Sequence, residues 1–140
     1  MKVIYCANNS IGSWLIRLFT WSRFSHTVYV EDDTHVIDST LQHGGVRRRL
    51  LADIYSQYPT IAEVTIDLPD EQAALEFARA QIGKPYDQTA ILGFVFHRNW
   101  AEDDSWFCSE LIEAVAVAGK RLRFRDGLYR ISPELSYTVI

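Results

Sequence analysis

The sequence predicts an α+β domain in which a small antiparallel sheet carries packed helices. Short β-like runs at Lys2–Cys6, His26–Val30 and His35–Ser39 are separated by turn residues. Apolar residues at helical spacing recur in 11–21, 70–82 and 107–118. The chain has 140 residues, 48% of them hydrophobic and 23% charged, which suits one domain (1–140) with a real core.

The same totals exclude several function classes. A net charge of −4 and a pI of about 5.5 argue against nucleic acid as a partner. No charged-then-apolar leader follows Met1, and the apolar run Ala90–Phe96 is far too short to span a bilayer. A cytoplasmic protein without an integral membrane segment is therefore expected. Cys6 and Cys108 could pair, but reduced thiols are expected without an export signal. No CxxC, HExxH or paired Cys/His spacing occurs, so neither a metal site nor a cofactor is expected. Oligomeric state leaves no signature in the sequence.

Taken in order, Lys2–Cys6 reads as a strand, and Ala7-Asn8-Asn9-Ser10 as a turn with a helix N-cap. Ile11–Trp21 reads as a helix whose Trp14, Leu15, Leu18 and Trp21 share one face, expected to be core. A loop, Ser22–Ser25, leads to a hairpin formed by His26–Val30 and His35–Ser39. Alternation puts His26, Val28 and Val30 on one face. If Val36 joins that apolar face, Asp38 lies there too, opposite or diagonal to His26. An odd-length loop gives that register, whereas a two-residue Asp32-Asp33 turn sends Asp38 to the other face.

Gly44-Gly45 marks a turn, and Val46–Leu50 a further strand whose Arg47-Arg48-Arg49 run reads as a solvated face. Leu51–Tyr58 is a short helical stretch ended by Pro59, and Thr60–Leu68 has β character. Pro69-Asp70-Glu71 opens a helix running to about Ile82, with Leu75, Ala78 and Ile82 toward the core. Gly83-Lys84-Pro85-Tyr86-Asp87 is a turn. Ala90–Phe96 reads as a buried short helix and His97–Asp104 as a polar loop. Arg121, Arg123 and Arg125 alternate with Leu122 and Phe124 as an edge strand would, and Ile131–Glu134 reads as a final turn before a tail, Tyr137–Ile140.

The stretch Asp103–Ile112 organises the rest. Ser105 or Asp104 is a fair N-cap, Phe107, Leu111, Val115 and Ala118 give an apolar stripe, and Gly119 suits the C-terminal stop. Cys108 then falls in the first turn, where the helix dipole favours a thiolate. The competing reading is a space-filling cysteine. Asp103, Asp104 and Glu110 support that alternative, because nearby negative charge disfavours the thiolate. A nucleophile needs a base and a group to orient that base, and His26 with Asp38 are the residues whose strand parity offers both.

These residues resemble a known family. Ser25-His26 leading a strand, Asp38 within Val36-Ile37-Asp38, Gly83-Lys84-Pro85-Tyr86-Asp87 and Phe107-Cys108-Ser109-Glu110-Leu111-Ile112 are similar, in that order, to the permuted papain-like amidases. These form the YiiX-type, circularly permuted branch of the NlpC superfamily of cysteine hydrolases. The resemblance covers the element order from about Lys2 to Ser136. It implies a circularly permuted papain-like fold with Cys108 as nucleophile, His26 as general base and Asp38 as the residue orienting the imidazole. It also implies that Tyr86 lies near the substrate groove. The implied activity is cleavage of an amide, in a cell-wall peptide or a lipid-linked substrate, through a thioester and without a cofactor. Acyl transfer by the same site is the first alternative, and a binding module that kept the fold without turnover is the second. The Cys108 N–H is the natural first donor to the oxyanion, and Asn8 or Asn9 is the candidate second.

Overall fold

The computed structural model describes residues 1–87, 105–124 and 131–139. The expected helix at 90–96, the loop at 97–104 and Arg125 lie outside them.

The architecture is α+β. The described strands β1 (Lys2–Ala7), β2 (His26–Val30), β3 (His35–Thr40), β4 (Gly45–Leu50) and β5 (Thr60–Thr65) form one antiparallel sheet in the order β4-β3-β2-β1-β5. Helices α1 (Ile11–Thr20), α2 (Leu51–Gln57), α3 (Glu71–Ala80), α4 (Cys108–Ala118) and α5 (Pro133–Thr138) pack around it. Both sheet faces are covered. Val3, Tyr5, Tyr29 and Ile37 meet Ala74 and Ala78 of α3 and Leu111, Ile112 and Val115 of α4. Their alternating neighbours Ile4, Cys6, Val28 and Val36 meet Ile54 of α2. Alternation along β1 to β3 is therefore apolar on both sides, which is why Val36 and Ile37 are both buried.

Several elements differ from the sequence expectation. Helix α4 begins at Cys108 with Phe107 as N-cap, a position the sequence reading gave to Ser105 or Asp104, and the Phe107 side chain cannot cap a backbone N–H. It is buried all round through Ala116, so the expected single apolar stripe understates its burial. No strand forms over 121–124; Arg123 turns inward to Glu113 at 3.0 Å. The expected final turn and tail are instead α5, capped by Ser132, whose Oγ accepts from the Leu135 N–H, with Pro133 in the first turn. Strand β5 stops at Thr65, and Ile82 is exposed beyond the end of α3.

The largest departure concerns α1. Its apolar residues are not core: Trp14 is 57% exposed, Trp21 90%, and Leu15 and Leu18 are exposed as well. Only Ser13 of this helix is buried. The amphipathic pattern fixed the helix and its Ser10 N-cap correctly, but periodicity does not say what covers the apolar face.

A short ladder of loops positions the site. Val46 N–H donates to Lys84 O (2.9 Å), Gly83 N–H to Val46 O (2.9 Å) and Trp106 N–H to Pro85 O (3.1 Å). Ser39 Oγ donates to Trp106 O at 2.7 Å. The Gly83–Asp87 turn is thereby stitched between the start of β4 and the entry to α4. Gly45 permits this approach: a Cβ there would sit 2.0 Å from Lys84 O, and its φ of +149° lies outside the range side chains favour. Gly45→Ala is expected to cost about 2–4 kcal/mol, combining strain with a backbone clash. Urea unfolding checks this through a lower midpoint at unchanged slope.

Candidate active site

Cys108 opens α4, where the first-turn N–H groups have no intrahelical acceptor. Its side chain packs with Phe107, Tyr86 and Ile16 of α1 and is 1% exposed. His26 opens β2 and is also buried. Its Nε2 lies 3.0 Å from Asp38 Oδ2, and its ring is close enough to the Cys108 thiol for the two to interact electrostatically. With Nε2 turned to the carboxylate, Nδ1 is the nitrogen left to meet sulfur. The structure thus brings Cys108, His26 and Asp38 into one line of contacts from three elements far apart in sequence.

Strand register explains the His26–Asp38 contact. Tyr29 pairs with Ile37 and Val30 with Val36. Continued by one residue past Tyr29 and Ile37, that register sets Asp38 across from Val28 and diagonal to His26, with both side chains on the α2 face. The connection between Val30 and Val36 is odd in length; the Glu31 and Asp32 N–H groups both donate to His35 O, at 3.0 and 3.2 Å.

Asp38 is 0% exposed and sits among cations. Arg49 Nη1 donates to Oδ2 at 3.0 Å, and Arg47 Nε approaches Oδ1 at 3.7 Å, too far for a hydrogen bond. Gln57 holds the other end of Arg49. The arginine run is therefore not one solvated face. Pairing of Asp38 with Arg47 across β3 and β4 puts Arg47 and Arg49 on the Asp38 side, while Arg48 points the other way to Glu31. Tyr58, just after α2, stacks on the His26 ring at 5.6 Å and 20°.

The electrostatics follow from these contacts. Burial opposes charging of His26, but the hydrogen bond to Asp38 and the interaction with Cys108 outweigh it and lift its pKa to about 9. Burial would raise the Asp38 pKa, yet His26 and Arg49 hold it below the usual carboxylate value. Burial pushes Tyr58 up to about 12. Cys6, directly across from His26 in the β1–β2 ladder, is driven well above an ordinary thiol by burial first and by Cys108 and Asp38 next. Both cysteines are free. Of the two thiols, Cys108 is the one that raises the His26 pKa, while Cys6 lies in the apolar cluster beneath α2.

A cavity of about 530 Å³ opens beside His26. Tyr86 and Phe107 line it, as do α1 and the turn Leu41–His43. Of the predicted substrate-side residues, Asn8 lines the cavity, with its Oδ1 accepting from the Ser10 N–H and Oγ–H. Its Nδ2 is the end left to donate. Asn9 is exposed and does not line the cavity, because the chain turns outward there to reach the Ser10 cap. Tyr86 both lines the cavity and packs on Phe107, with ring centroids 6.0 Å apart. Sequence reading missed Arg49, Tyr58 and Gln57. Parity in β4 groups Arg47 with Arg49 and apart from Arg48, and only the β3–β4 register says which set shares a face with Asp38.

No group of three or more His, Cys, Asp or Glu side chains suited to a metal occurs among the described residues, and no described helix is long and apolar enough to cross a membrane. A scan against protein-family models finds no match, and a search of curated proteins finds none either.

Proposed function

We infer that the chain is a cysteine hydrolase of the permuted papain-like type, acting on an amide through a thioester. The observation that carries this reading is His26, buried between the Asp38 carboxylate and the Cys108 thiol on the wall of a cavity. A space-filling cysteine has no need of an imidazole whose far nitrogen is fixed by a buried acid.

With its pKa near 9, His26 is charged at neutral pH, and an imidazolium beside a thiol at a helix N-terminus favours the thiolate. Sulfur attacks the acyl carbon, forming the S–C bond and placing the electron pair on oxygen. The Cys108 N–H, at the open start of α4, suits that oxyanion, and Asn8 Nδ2 is the second donor in this reading. As the tetrahedral species collapses, the C–N bond breaks and the imidazolium gives its proton to the leaving amine. Neutral His26 then takes a proton from water as the water adds to the thioester. Collapse releases the acid and returns the thiolate–imidazolium pair. Cell-wall peptides and lipid-linked amides are the substrate classes considered.

The test is mass spectrometry of the protein quenched during turnover of an activated acyl ester. An acyl adduct on Cys108 is expected, and its absence at Cys108 with hydrolysis continuing would overturn the reading. An added amine separates the outcomes further: free acid marks hydrolysis, and acyl-amine marks transfer. Because the imidazolium is the proton donor, turnover should fall above a midpoint near pH 9. Iodoacetamide alkylation, which needs only the thiolate, should not fall there.

A further inference from the structure

We propose that Tyr58 is a positioning residue for the chemistry of His26: its ring, laid flat on the imidazole, holds Nδ1 toward the Cys108 sulfur while Nε2 stays on Asp38. This rests on the reading of His26 as the proton carrier of a hydrolase. The Tyr58 and His26 ring centroids are 5.6 Å apart, with the planes within 20° of parallel, an offset stack. Asp38 fixes the far nitrogen but not the twist of the ring. Nε2 lies close to the Cβ–Cγ axis about which an imidazole turns, so a hydrogen bond there resists twisting weakly. Nδ1 lies farther from that axis and swings through a wider arc. A ring laid on the imidazole face blocks that swing and leaves both in-plane nitrogens free for their partners. The face also suits the charge, because a cation within about 6 Å of an aromatic centroid is attracted by the ring quadrupole.

The chain is built to aim that ring. Tyr58 ends α2, and its N–H donates to Ile54 O at 3.1 Å. Pro59 follows, and the residue before a proline is pushed out of the helical region. Tyr58 accordingly has φ −121° and ψ 106°, so the backbone leaves the helix axis at this residue. Its side chain packs on the cluster of Ile4, Cys6, Val28 and Ile54, the sheet face that also carries His26. Ile54, fully buried, anchors the helix there. Gln57, one residue earlier, accepts from Arg49, which donates to Asp38. One helix end therefore grips the imidazole directly and the acid through a guanidinium. Burial keeps the Tyr58 phenol neutral across the working range, so the stack brings no phenolate beside the imidazole.

Tyr58 also lines the cavity, so the experiment separates positioning from substrate binding. The full chain is acetylated with 4-nitrophenyl acetate: sulfur forms the S–C bond and 4-nitrophenolate leaves. Excess ester is removed, and loss of the acetyl group from Cys108 is followed by mass. In that step water attacks the thioester carbon, His26 takes its proton, and the S–C bond breaks to give acetate. No substrate binds in it, so a residue that only walls the cavity does not alter it. Tyr58→Leu should slow the loss by about 10- to 100-fold, the scale of a misplaced reacting group. Tyr58→Phe, which keeps the ring, should restore it. In ¹⁵N-histidine NMR spectra, the His26 Nε2–H should exchange slowly with water in the unaltered protein and in Tyr58→Phe, and fast in Tyr58→Leu. If circular dichroism shows Tyr58→Leu unfolded, Tyr58→Met, similar in volume and without a ring, serves instead. Deacetylation at the unaltered rate in the folded ringless variant overturns the positioning proposal and leaves the hydrolase reading standing. Tyr58→Phe as slow as the ringless variant overturns it too, by assigning the effect to the hydroxyl. No acetyl group on Cys108, or one that water does not clear from the unaltered protein, removes the hydrolase reading itself.

Discussion

His26→Ala is expected to lower turnover by about 10³-fold or more, the scale seen when one member of a catalytic unit is removed. The substitution deletes the proton donor for the leaving amine and the cation beside the Cys108 sulfur together. Alkylation of Cys108 at neutral pH should fall toward the rate of Cys6, which burial keeps protonated. The fold should persist, because Asp38 keeps Arg49 as a buried partner when the imidazole is gone. Circular dichroism and a two-reagent alkylation assay check both halves. Turnover within about tenfold of the unaltered protein would mean that the His26–Cys108 contact is structural.

How much of this site could be read from the chain varies residue by residue. The His26–Asp38 contact was legible because strand parity is a strict period of two, and a conditional on loop length was enough to place both on one face. The cysteine at a helix start was legible for the same kind of reason. Arg49 was not, since its placement depends on the register between β3 and β4, which the Leu41–Gly44 turn sets through backbone geometry and a left-handed Gly44. The exposure of Trp14 and Trp21 was illegible in principle: a helical pattern marks an apolar face but not its cover. Helix α5 was legible and overlooked, because Ser132-Pro133-Glu134 is a capping residue, a first-turn proline and a first-turn acid. Phe107 at the N-cap of α4 breaks the capping preference. The residue there packs against Tyr86 beside the cavity, so local propensity gives way to packing at the site.

Fixing the imidazole and balancing the buried cations are one task, and Asp38 performs both. Its carboxylate is sealed from water, touches His26 and Arg49 at 3.0 Å each, and has Arg47 nearby. Asp38→Asn keeps the shape and an oxygen acceptor but leaves the guanidinium of Arg49 and the imidazole with no buried anion. Breaking a buried pair in this way costs about 3–5 kcal/mol. For a domain of this size the melting temperature should drop by roughly 10–20 °C. The pH dependence should change as well. In the unaltered protein His26 has a folded pKa near 9, above its unfolded value of 6.5. Its stabilising contribution is therefore complete below pH 6.5 and is lost as pH rises through about 9. Without the carboxylate, burial is the dominant influence left and pushes the imidazole down, so the charged form gives way to the neutral one within the neutral range. Melting curves between pH 6 and 10 should show the unaltered protein losing stability toward the alkaline end. The variant should be less stable throughout and lack that alkaline loss. An NMR titration of the His26 ring gives the same answer directly, and a midpoint still near pH 9 in Asp38→Asn would assign the raised pKa to Cys108 alone.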